Sequence, residues 1–261
     1  MSSMVAPLIA HLLALQVKLY ACQARLLDNT DSEALHDLRT SVRRLRSLLR
    51  PLRGLPGTEP AELAAKAVGQ LTTPYRDREV LAAHLREDGH QALAATRERA
   101  MQGVFQRVGR SPQVAQLLRS VDGLPGFLRA AQRAGLLGGL RRRIAKRLGK
   151  QRSQLLAALE DPAHDRHRLR LLIKRVRYAA EAYPELDALA PATIKQLKRA
   201  QGALGDWHDH HQWLLQAEQE TDLQPCVRQW REAYQRAEIR SDKVLEKLTA
   251  AVSKGKAGPG R

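Results

Sequence analysis

The sequence predicts an all-α protein, and three observations support that prediction. Hydrophobic residues make up 43% of the 261 residues, but aromatic residues only 4%. Ala and Leu dominate the apolar fraction, whereas the β-branched and aromatic residues that strands prefer are sparse. Apolar residues recur three and four positions apart, which is the period of a helix, and one basic helical segment occurs twice.

The first half of the chain, about residues 5–108, is predicted to contain four helices. They are predicted over residues 5–28, from a cap at Asp31 or Ser32 to Leu52, from Pro60 to Leu71, and from Pro74 to about Phe105. The third helix is expected to end at Pro74, because proline has no backbone N–H to donate.

Residues 109–139 are rich in Gly and Pro, which predicts a linker with short helices. The second half, about residues 140–252, repeats the helical pattern of the first. Helices are predicted over residues 140–159, from about Arg166 to near Pro184, from Pro191 to Ala203, from near Trp207 after a turn at Gly205-Asp206, and over about 225–252. Residues 253–261 are predicted to be a disordered tail.

The repeated segment begins at His36 as HDLRTSVRRLRS and at His167 as HRLRLLIKRVRY. The two share the pattern H-x-x-R-x-x-x-[RK]-R-x-R without gaps. The matched pairs are His36 with His167, Arg39 with Arg170, Arg43 with Lys174, Arg44 with Arg175, and Arg46 with Arg177. This agreement indicates an internal duplication.

Each repeated helix has one cationic side and one apolar side. At about 100° per residue, the first set of cations falls within about 80° and the leucines lie opposite. The first stripe is His36, Arg39, Arg43, Arg46 and Arg50, and the second stripe is His167, Arg170, Lys174 and Arg177. Like charges one turn apart repel, so such a stripe favours a multivalent anionic partner. Arginine suits phosphate because its planar fork binds two oxygens. Glu181 is expected to pair with Arg177, one turn away.

A second pair of matched helices adds further cations. Arg76 aligns with His208, and Lys66 aligns with Lys198 at the same offset. Lys195 and Arg199 flank Lys198. The candidate anion-binding residues are therefore the two stripes together with Arg44, Lys66, Arg76, Arg175, Lys195, Lys198, Arg199 and His208.

The net charge of +17 also indicates a polyanionic partner, since such an excess destabilises a compact fold by self-repulsion. The basic segment from Arg141 to Arg152 leaves nucleic acid open as that partner. An enzyme is not expected, because no phosphate-binding glycine loop, cluster of metal-holding acids or nucleophile motif is found. His208 and His211 could face a metal together, but no third ligand lies nearby in sequence, so neither a metal nor a cofactor is predicted.

The apolar run from Val5 to Val17 is predicted to belong to an amphipathic core helix. His11 interrupts the run, Lys18 follows it, and the run is too short to span a membrane. No membrane partner is expected. Cys22 and Cys226 lack any metal-ligand spacing and are expected to be reduced thiols.

These residues resemble the CHAD family, the conserved histidine α-helical domain, over about residues 5–250. The matching elements are His36, Arg39, Arg43, Arg44 and Arg46 in the first half, and His167, Arg170, Lys174, Arg175, Arg177, Tyr178, Glu181, Leu204-Gly205 and Asp209 in the second. The resemblance implies two pseudo-twofold-related four-helix bundles with a central basic cavity or groove, forming a single CHAD domain over residues 1–252.

The resemblance further implies non-enzymatic binding of inorganic polyphosphate in the cytoplasm, in association with polyphosphate granules. Phosphate or sulfate would stand in for that ligand in a crystal, and nucleic acid would act as a non-specific competitor. The residues themselves leave open a general polyanion-binding or nucleic-acid-binding protein.

Overall fold

The regular secondary structure is helical throughout the part of the chain that the computed structural model describes, residues 4–55, 57–187 and 189–254. The helices are α1 (Val5–Asp28), α2 (Ala34–Leu49), α3 (Glu59–Glu87), α4 (Gln91–Arg99), α5 (Val104–Gly109), α6 (Pro112–Arg133), α7 (Leu140–Glu160), α8 (Arg166–Ala182), α9 (Pro191–Ala217) and α10 (Val227–Lys254). Short 3-10 turns cover Arg50–Leu52 and Thr221–Cys226. The predicted all-α fold class is confirmed.

The chain forms two compact units, and the boundary between them falls inside α7, between Ile144 and Ala145. Unit 1 contains α1 to α6 and the start of α7. Unit 2 contains the remainder of α7 and α8 to α10. The pseudo-twofold relation between the halves and the central basic cavity or groove stay predictions.

The core of unit 1 is built from the apolar sides of α1, α2, α3 and α6. In α1, Leu12 and Leu19 have no exposed surface, and neither do Leu38 and Leu45 in α2. Gln16 and Tyr20 of α1 each donate to the Asp122 carboxylate of α6, at 2.6 and 2.7 Å. Burial of each large side chain stabilises the fold by about 1.5–3 kcal/mol. The leucines of α2 were predicted to lie on the side opposite the first stripe, and the burial of Leu38 and Leu45 agrees with that prediction.

Among the described residues, α1 is the helix that length and composition alone would allow to cross a membrane. The argument that the apolar run is too short therefore does not hold for the 24-residue helix. The side of α1 that carries Leu8, Leu12, Leu15 and Leu19 is nevertheless buried in unit 1, as expected for an amphipathic core helix. Cys22, on the same side, is a buried free thiol, and burial raises its pKa.

Pro74 does not end a helix, contrary to the sequence prediction, because α3 runs through it from Glu59 to Glu87. Proline removes one backbone donor and crowds the preceding turn. The carbonyl that loses its donor is that of Gln70, four residues before the proline. In the turn around it, Thr73 Oγ1 donates to the Gly69 carbonyl at 2.8 Å, and Thr72 Oγ1 donates to the Val68 carbonyl at 2.8 Å. Val68 and Leu81, on either side of the proline, are both buried, which holds both parts of the helix in one core.

The helix predicted to reach Phe105 ends earlier and is followed by two short helices. Gly89 and Gly103 have φ of +86° and +68°, a left-handed conformation that glycine adopts without strain. Gly89 follows the end of α3, and Gly103 precedes α5.

Residues 109–139 were expected to be a linker, but most of this segment is the 22-residue helix α6. Ser111 caps the helix by accepting from the Val114 N–H at 3.3 Å, and Pro112 occupies its first position. Val121 and Leu124 are almost fully buried in unit 1. The Gly and Pro residues predicted a linker with short helices, which is wrong for this segment because tertiary burial outweighs their local propensities.

The core of unit 2 joins α7, α8, α9 and α10 through Leu155, Ile173, Leu204 and Leu248. The turn predicted at Gly205-Asp206 is absent, because α9 continues from Pro191 to Ala217. Leu204 and Trp207 are buried on either side of Gly205, so one continuous helix buries both. At the C-terminus, Ser253 and Lys254 belong to α10 rather than to a tail, and the rest of the predicted tail lies outside the described residues.

Candidate functional site

Four of the five matched pairs of the repeat have the same degree of burial in the two units; the exception is the histidine pair, in which His36 is half-buried and His167 is exposed. Arg39, Arg43 and Arg46 are half-buried in α2, and so are their counterparts Arg170, Lys174 and Arg177 in α8. Arg44 and its counterpart Arg175 are exposed. Both helices therefore hold three long cations in the margin between core and solvent.

Arg39 is held against α3 by three neutral oxygens. Its Nη1 donates to Thr72 Oγ1 at 2.9 Å, to Thr73 Oγ1 at 3.2 Å and to the Gly69 carbonyl at 3.3 Å. Desolvation lowers the pKa of the guanidinium, and the neighbouring cations Arg76 and Arg43 lower it further. The side chain is thus fixed in place without neutralisation of its charge by a bonded carboxylate.

The remainder of the first stripe is organised by short contacts along α2 and by α3. Arg43 Nη2 donates to Thr40 Oγ1 at 3.1 Å, and the His36 ring lies 3.5 Å from the same hydroxyl. Arg76, predicted from the second repeated element, pairs with Glu79 at 3.1 Å. The carboxylates of Asp77 and Glu79 act in the opposite direction and raise the pKa of Arg39. These acids therefore partly offset the positive charge at this end of the stripe.

The other end of the first stripe opens into a cavity of about 570 Å³ in unit 1. Arg46 and Lys66 line it, which brings together two predicted residues from α2 and α3. Arg53 lines it as well and is bound to Glu62, with its Nε 2.7 Å from the carboxylate. Arg50 is half-buried where the 3-10 turn begins.

The second stripe starts at a capped helix end in unit 2. Asp165 caps α8 by accepting from the backbone N–H of His167 at 2.8 Å. Arg166 joins the same end to α10 through three hydrogen bonds that it donates to the Asp242 carboxylate, at 2.8, 2.9 and 3.2 Å. The cap and the ion pair fix the first turn of α8, and with it the position of His167 in that turn.

His167 and His208, predicted from separate repeats, lie side by side with ring centroids 4.9 Å apart. Partial desolvation lowers the pKa of His167, and the nearby His208, Arg170 and His211 lower it further, whereas Asp165 raises it. His211 stacks on Trp207 with the ring planes 9° apart, and Tyr234 of α10 lies 5.8 Å from His211. The second stripe therefore begins in a histidine cluster, His167, His208 and His211, which packs against the rings of Trp207 and Tyr234.

Further along α8, the predicted pair between Arg177 and Glu181 is present at 3.5 Å. The Arg177 guanidinium also lies 4.3 Å from the centroid of the Tyr178 ring. The Nε atoms of Arg177 and of its counterpart Arg46 are buried, and neither makes a hydrogen bond within the described residues. Both units thus contain a buried guanidinium donor at the same position of the repeat.

The remaining predicted cations lie on open surface. Lys195, Lys198 and Arg199 are exposed on the first part of α9, as Lys66 is on α3. None of the three is held by an ion pair within the described residues. They add positive charge to unit 2 without a fixed geometry.

Within the part of the chain that the structure describes, no group of three or more His, Cys, Asp or Glu side chains could hold a metal ion. The ring of His210 is engaged elsewhere, since its Nδ1 lies 2.7 Å from the Asp206 carbonyl.

Sequence reasoning missed the side chains that position the stripes. Thr72 and Thr73 hold Arg39, and Tyr234 completes the aromatic support of the histidine cluster. Two hydroxyl residues directly before Pro74 were an available signal, because threonine in a helix can bond a carbonyl four residues earlier and also accept from a neighbouring side chain. Tyr234 lies on α10, outside both repeated elements, and carried no sequence signal.

Comparison with known proteins places the chain in a family. A family model of the CHAD domain matches residues 10–218. The crystal structure of the CHAD domain from the plant Ricinus communis is similar, with a TM-score of 0.68 and 21% identity, covering 97% of this chain and 92% of that chain. No curated protein matches. At this identity the structural likeness shows the fold, and the family match extends over most of the chain, so this protein belongs to the CHAD family.

Proposed function

We propose that this protein binds inorganic polyphosphate without catalysing a reaction on it, through the two stripes and the cations of α3 and α9. Polyphosphate is a flexible chain of phosphates with no bases, so it offers only oxygen acceptors and negative charge. Both stripes offer what such a chain requires, namely arginine forks at helical spacing.

The observation that carries the proposal is the repeated buried donor. Arg46 Nε and Arg177 Nε occupy matched positions in two helices, and neither has an acceptor within the described residues. A buried donor without an acceptor costs about 1–3 kcal/mol, so its occurrence at both positions calls for a physical reason. An anionic oxygen that reaches these guanidinium groups after a small side-chain adjustment would provide the missing acceptor.

Repulsion along the stripes supports the same conclusion. Arg39 is bonded to neutral oxygens, and its neighbours on the stripe are cations. Placing like charges one turn apart destabilises a helix by a few tenths of a kcal/mol per pair. A bound polyanion turns this repulsion into attraction, which explains why the charge pattern is tolerated in both repeats.

The stripes are less suited to reading nucleic acid. Adenine is recognised by Asn or Gln, and single-stranded bases stack on exposed aromatic rings; the stripes contain no Asn or Gln and no interleaved aromatic residues. The aromatic rings beside the second stripe, Tyr178 and Trp207, are both buried. In the cell we propose that the protein is cytoplasmic and associates with polyphosphate granules, where the stripes would retain it.

Competition between polyphosphate and DNA tests the proposed ligand. We expect calorimetry at about 0.15 M salt to give tight binding of long-chain polyphosphate that duplex DNA of equal total charge does not displace. Physiological salt is needed because phosphate contacts of any kind suffice at low salt. Ready displacement of polyphosphate by DNA would instead identify a general polyanion-binding or nucleic-acid-binding protein.

The histidine cluster predicts that polyphosphate binds more tightly as the pH falls. In the free protein the pKa of His167 is lowered, so this group destabilises the fold as the pH drops through the ordinary histidine value of about 6.5. A bound polyanion raises the same pKa, and binding therefore takes up protons. We expect affinity to increase several-fold between about pH 7.5 and about pH 5.5.

The pH dependence is measured by calorimetry with long-chain polyphosphate, whose internal phosphates stay ionised throughout this range. His167→Gln should flatten the profile, whereas His164→Gln, outside the stripe, should leave it unchanged. An identical slope in wild type and His167→Gln would contradict the role of this cluster.

A further inference from the structure

The solvent-facing side of α7 carries a dense group of cations that belongs to neither stripe. Within ten residues lie Arg141, Arg142, Arg143, Lys146 and Lys150, and all five are exposed. None of these five forms an ion pair within the described residues. The first acid along the helix is Glu160, at its end. We define these five residues as the α7 basic face.

The α7 basic face differs from the stripes in shape. At about 100° per residue, its cations are spread around roughly 200° of the helix. The remaining side is apolar and buried, since Leu140, Ile144 and Leu148 have exposures of 4%, 0% and 1%. The stripes, in contrast, are narrow and half-buried. A single flexible anionic chain lying along α7 could reach only part of this arc at once.

A duplex groove can contact a wide arc of cations, because phosphates line both of its edges. The major groove of DNA is about 12 Å wide, and a helix with its side chains is about 10–12 Å across. Residues 141–150 extend about 15 Å along the axis, which corresponds to about four to five base pairs. Cations on opposite flanks of α7 would then face phosphates on opposite edges of the groove.

An anionic membrane fits this face less well. Helices that lie in a membrane surface insert an apolar side between the lipids. The apolar side of α7 is already occupied by the protein core, and the exposed residues of the face are all cationic. Charge attraction alone would remain, without insertion.

We propose that the α7 basic face is a second binding surface, which contacts the phosphates of duplex nucleic acid without reading its sequence. The inference goes beyond the proposed polyphosphate site, because it concerns different residues and a different macromolecule. Contacts to phosphate alone bind many sequences similarly and depend steeply on salt.

Neutralising the face tests the proposal with a fluorescent duplex of about 20 base pairs at several salt concentrations. We expect the combined change R141Q, R142Q, R143Q, K146Q and K150Q to weaken DNA binding at least tenfold at about 0.1 M salt. The slope of log affinity against log salt should become shallower by about four to five, since each of the five lost phosphate contacts removes about 0.9. Affinity for polyphosphate should change less than threefold.

A matched control removes the same number of exposed cations elsewhere: R133Q, R228Q, R231Q, K243Q and K247Q. This control should keep the DNA affinity and salt slope of the wild type. Equal losses in both variants would overturn the proposal, because net charge would then be responsible. Circular dichroism checks folding, and the smaller change R141Q, R142Q and R143Q, with an expected slope decrease of about two to three, repeats the test with less disturbance.

Measuring polyphosphate binding by the α7 variant separates an error in the DNA-binding proposal for the α7 basic face from an error in the proposed polyphosphate function. If the α7 variant binds DNA as the wild type does, the surface proposal is wrong, whatever the stripes bind. If the α7 variant loses polyphosphate while DNA binding persists, the face is part of the polyphosphate site and the proposal is again wrong. Binding of the wild type to phosphatidylserine vesicles but not to DNA would identify a membrane surface instead.

Discussion

Reversing four charges of the stripes is expected to abolish polyphosphate binding. The combined change of Arg39, Arg43, Arg170 and Lys174 to Glu places acids in the middle of both stripes. Each hydrogen bond to a charged group contributes about 1.5–3 kcal/mol, and about 1.4 kcal/mol corresponds to a factor of ten. Loss of four such contacts, with repulsion added, should weaken binding by at least about 1,000-fold in calorimetry.

The matched control for this change reverses four exposed cations outside the stripes: R133E, R231E, K243E and K247E. Both variants lower the net charge of +17 by eight, so only position differs. The control should retain most of the affinity. Arg39 also donates to Thr72 and Thr73, so its replacement by Glu could disturb the fold. A milder variant with Gln at the same four positions removes the charges with less disturbance. Tight binding by the folded Glu or Gln variant would refute the role of the stripes.

The second large effect is expected from two adjacent residues of α2 with opposite roles. Leu45 has no exposed surface in the core of unit 1, and Leu45→Ala should lower the free energy of unfolding by about 2–5 kcal/mol. Arg46, the next residue, contributes a buried Nε without an acceptor and lines the cavity. Arg46→Ala should leave stability almost unchanged but weaken polyphosphate binding by about tenfold to one hundredfold.

Denaturant unfolding and calorimetry on both variants measure this separation. Leu45→Met conserves volume and should cost less than about 1.5 kcal/mol, which controls for any change at that position. Arg46→Lys keeps the charge but not the fork and should lie between wild type and alanine in affinity. Binding is compared under conditions in which the Leu45→Ala variant is still folded. If this variant then lost as much polyphosphate affinity as Arg46→Ala does, α2 would not have separate structural and binding sides.

The stripes could be predicted from sequence because they depend on a local period. His36, Arg39 and Arg43 share one side of any α-helix, whatever surrounds it, and Leu38 and Leu45 share the other. The half-burial of these cations and the burial of these leucines agree with that prediction. The pair between Arg177 and Glu181 was predictable for the same reason, since residues four apart are neighbours on a helix.

Helix boundaries were less predictable, because they depend on packing that local propensity does not report. Pro74 and Gly205 are usual helix breakers, yet α3 and α9 run through both positions. In α3, Val68 and Leu81 are buried on either side of the proline, so packing holds both parts of the helix in place. The segment around α6 was misjudged for the same reason, since burial of Val121 and Leu124 outweighs the nearby glycines.

The sequence by itself determined the helical class, the duplicated unit and the side of each repeated helix that carries its cations. These properties follow from composition and from the fixed geometry of the helix. Only the tertiary structure decided which cations are held and by what: Arg39 by the threonines of α3, His167 beside His208, and Arg46 at a cavity with Lys66. Those contacts join residues about 20 to 40 positions apart, and their distances are set by how helices pack in the core, which no local pattern encodes.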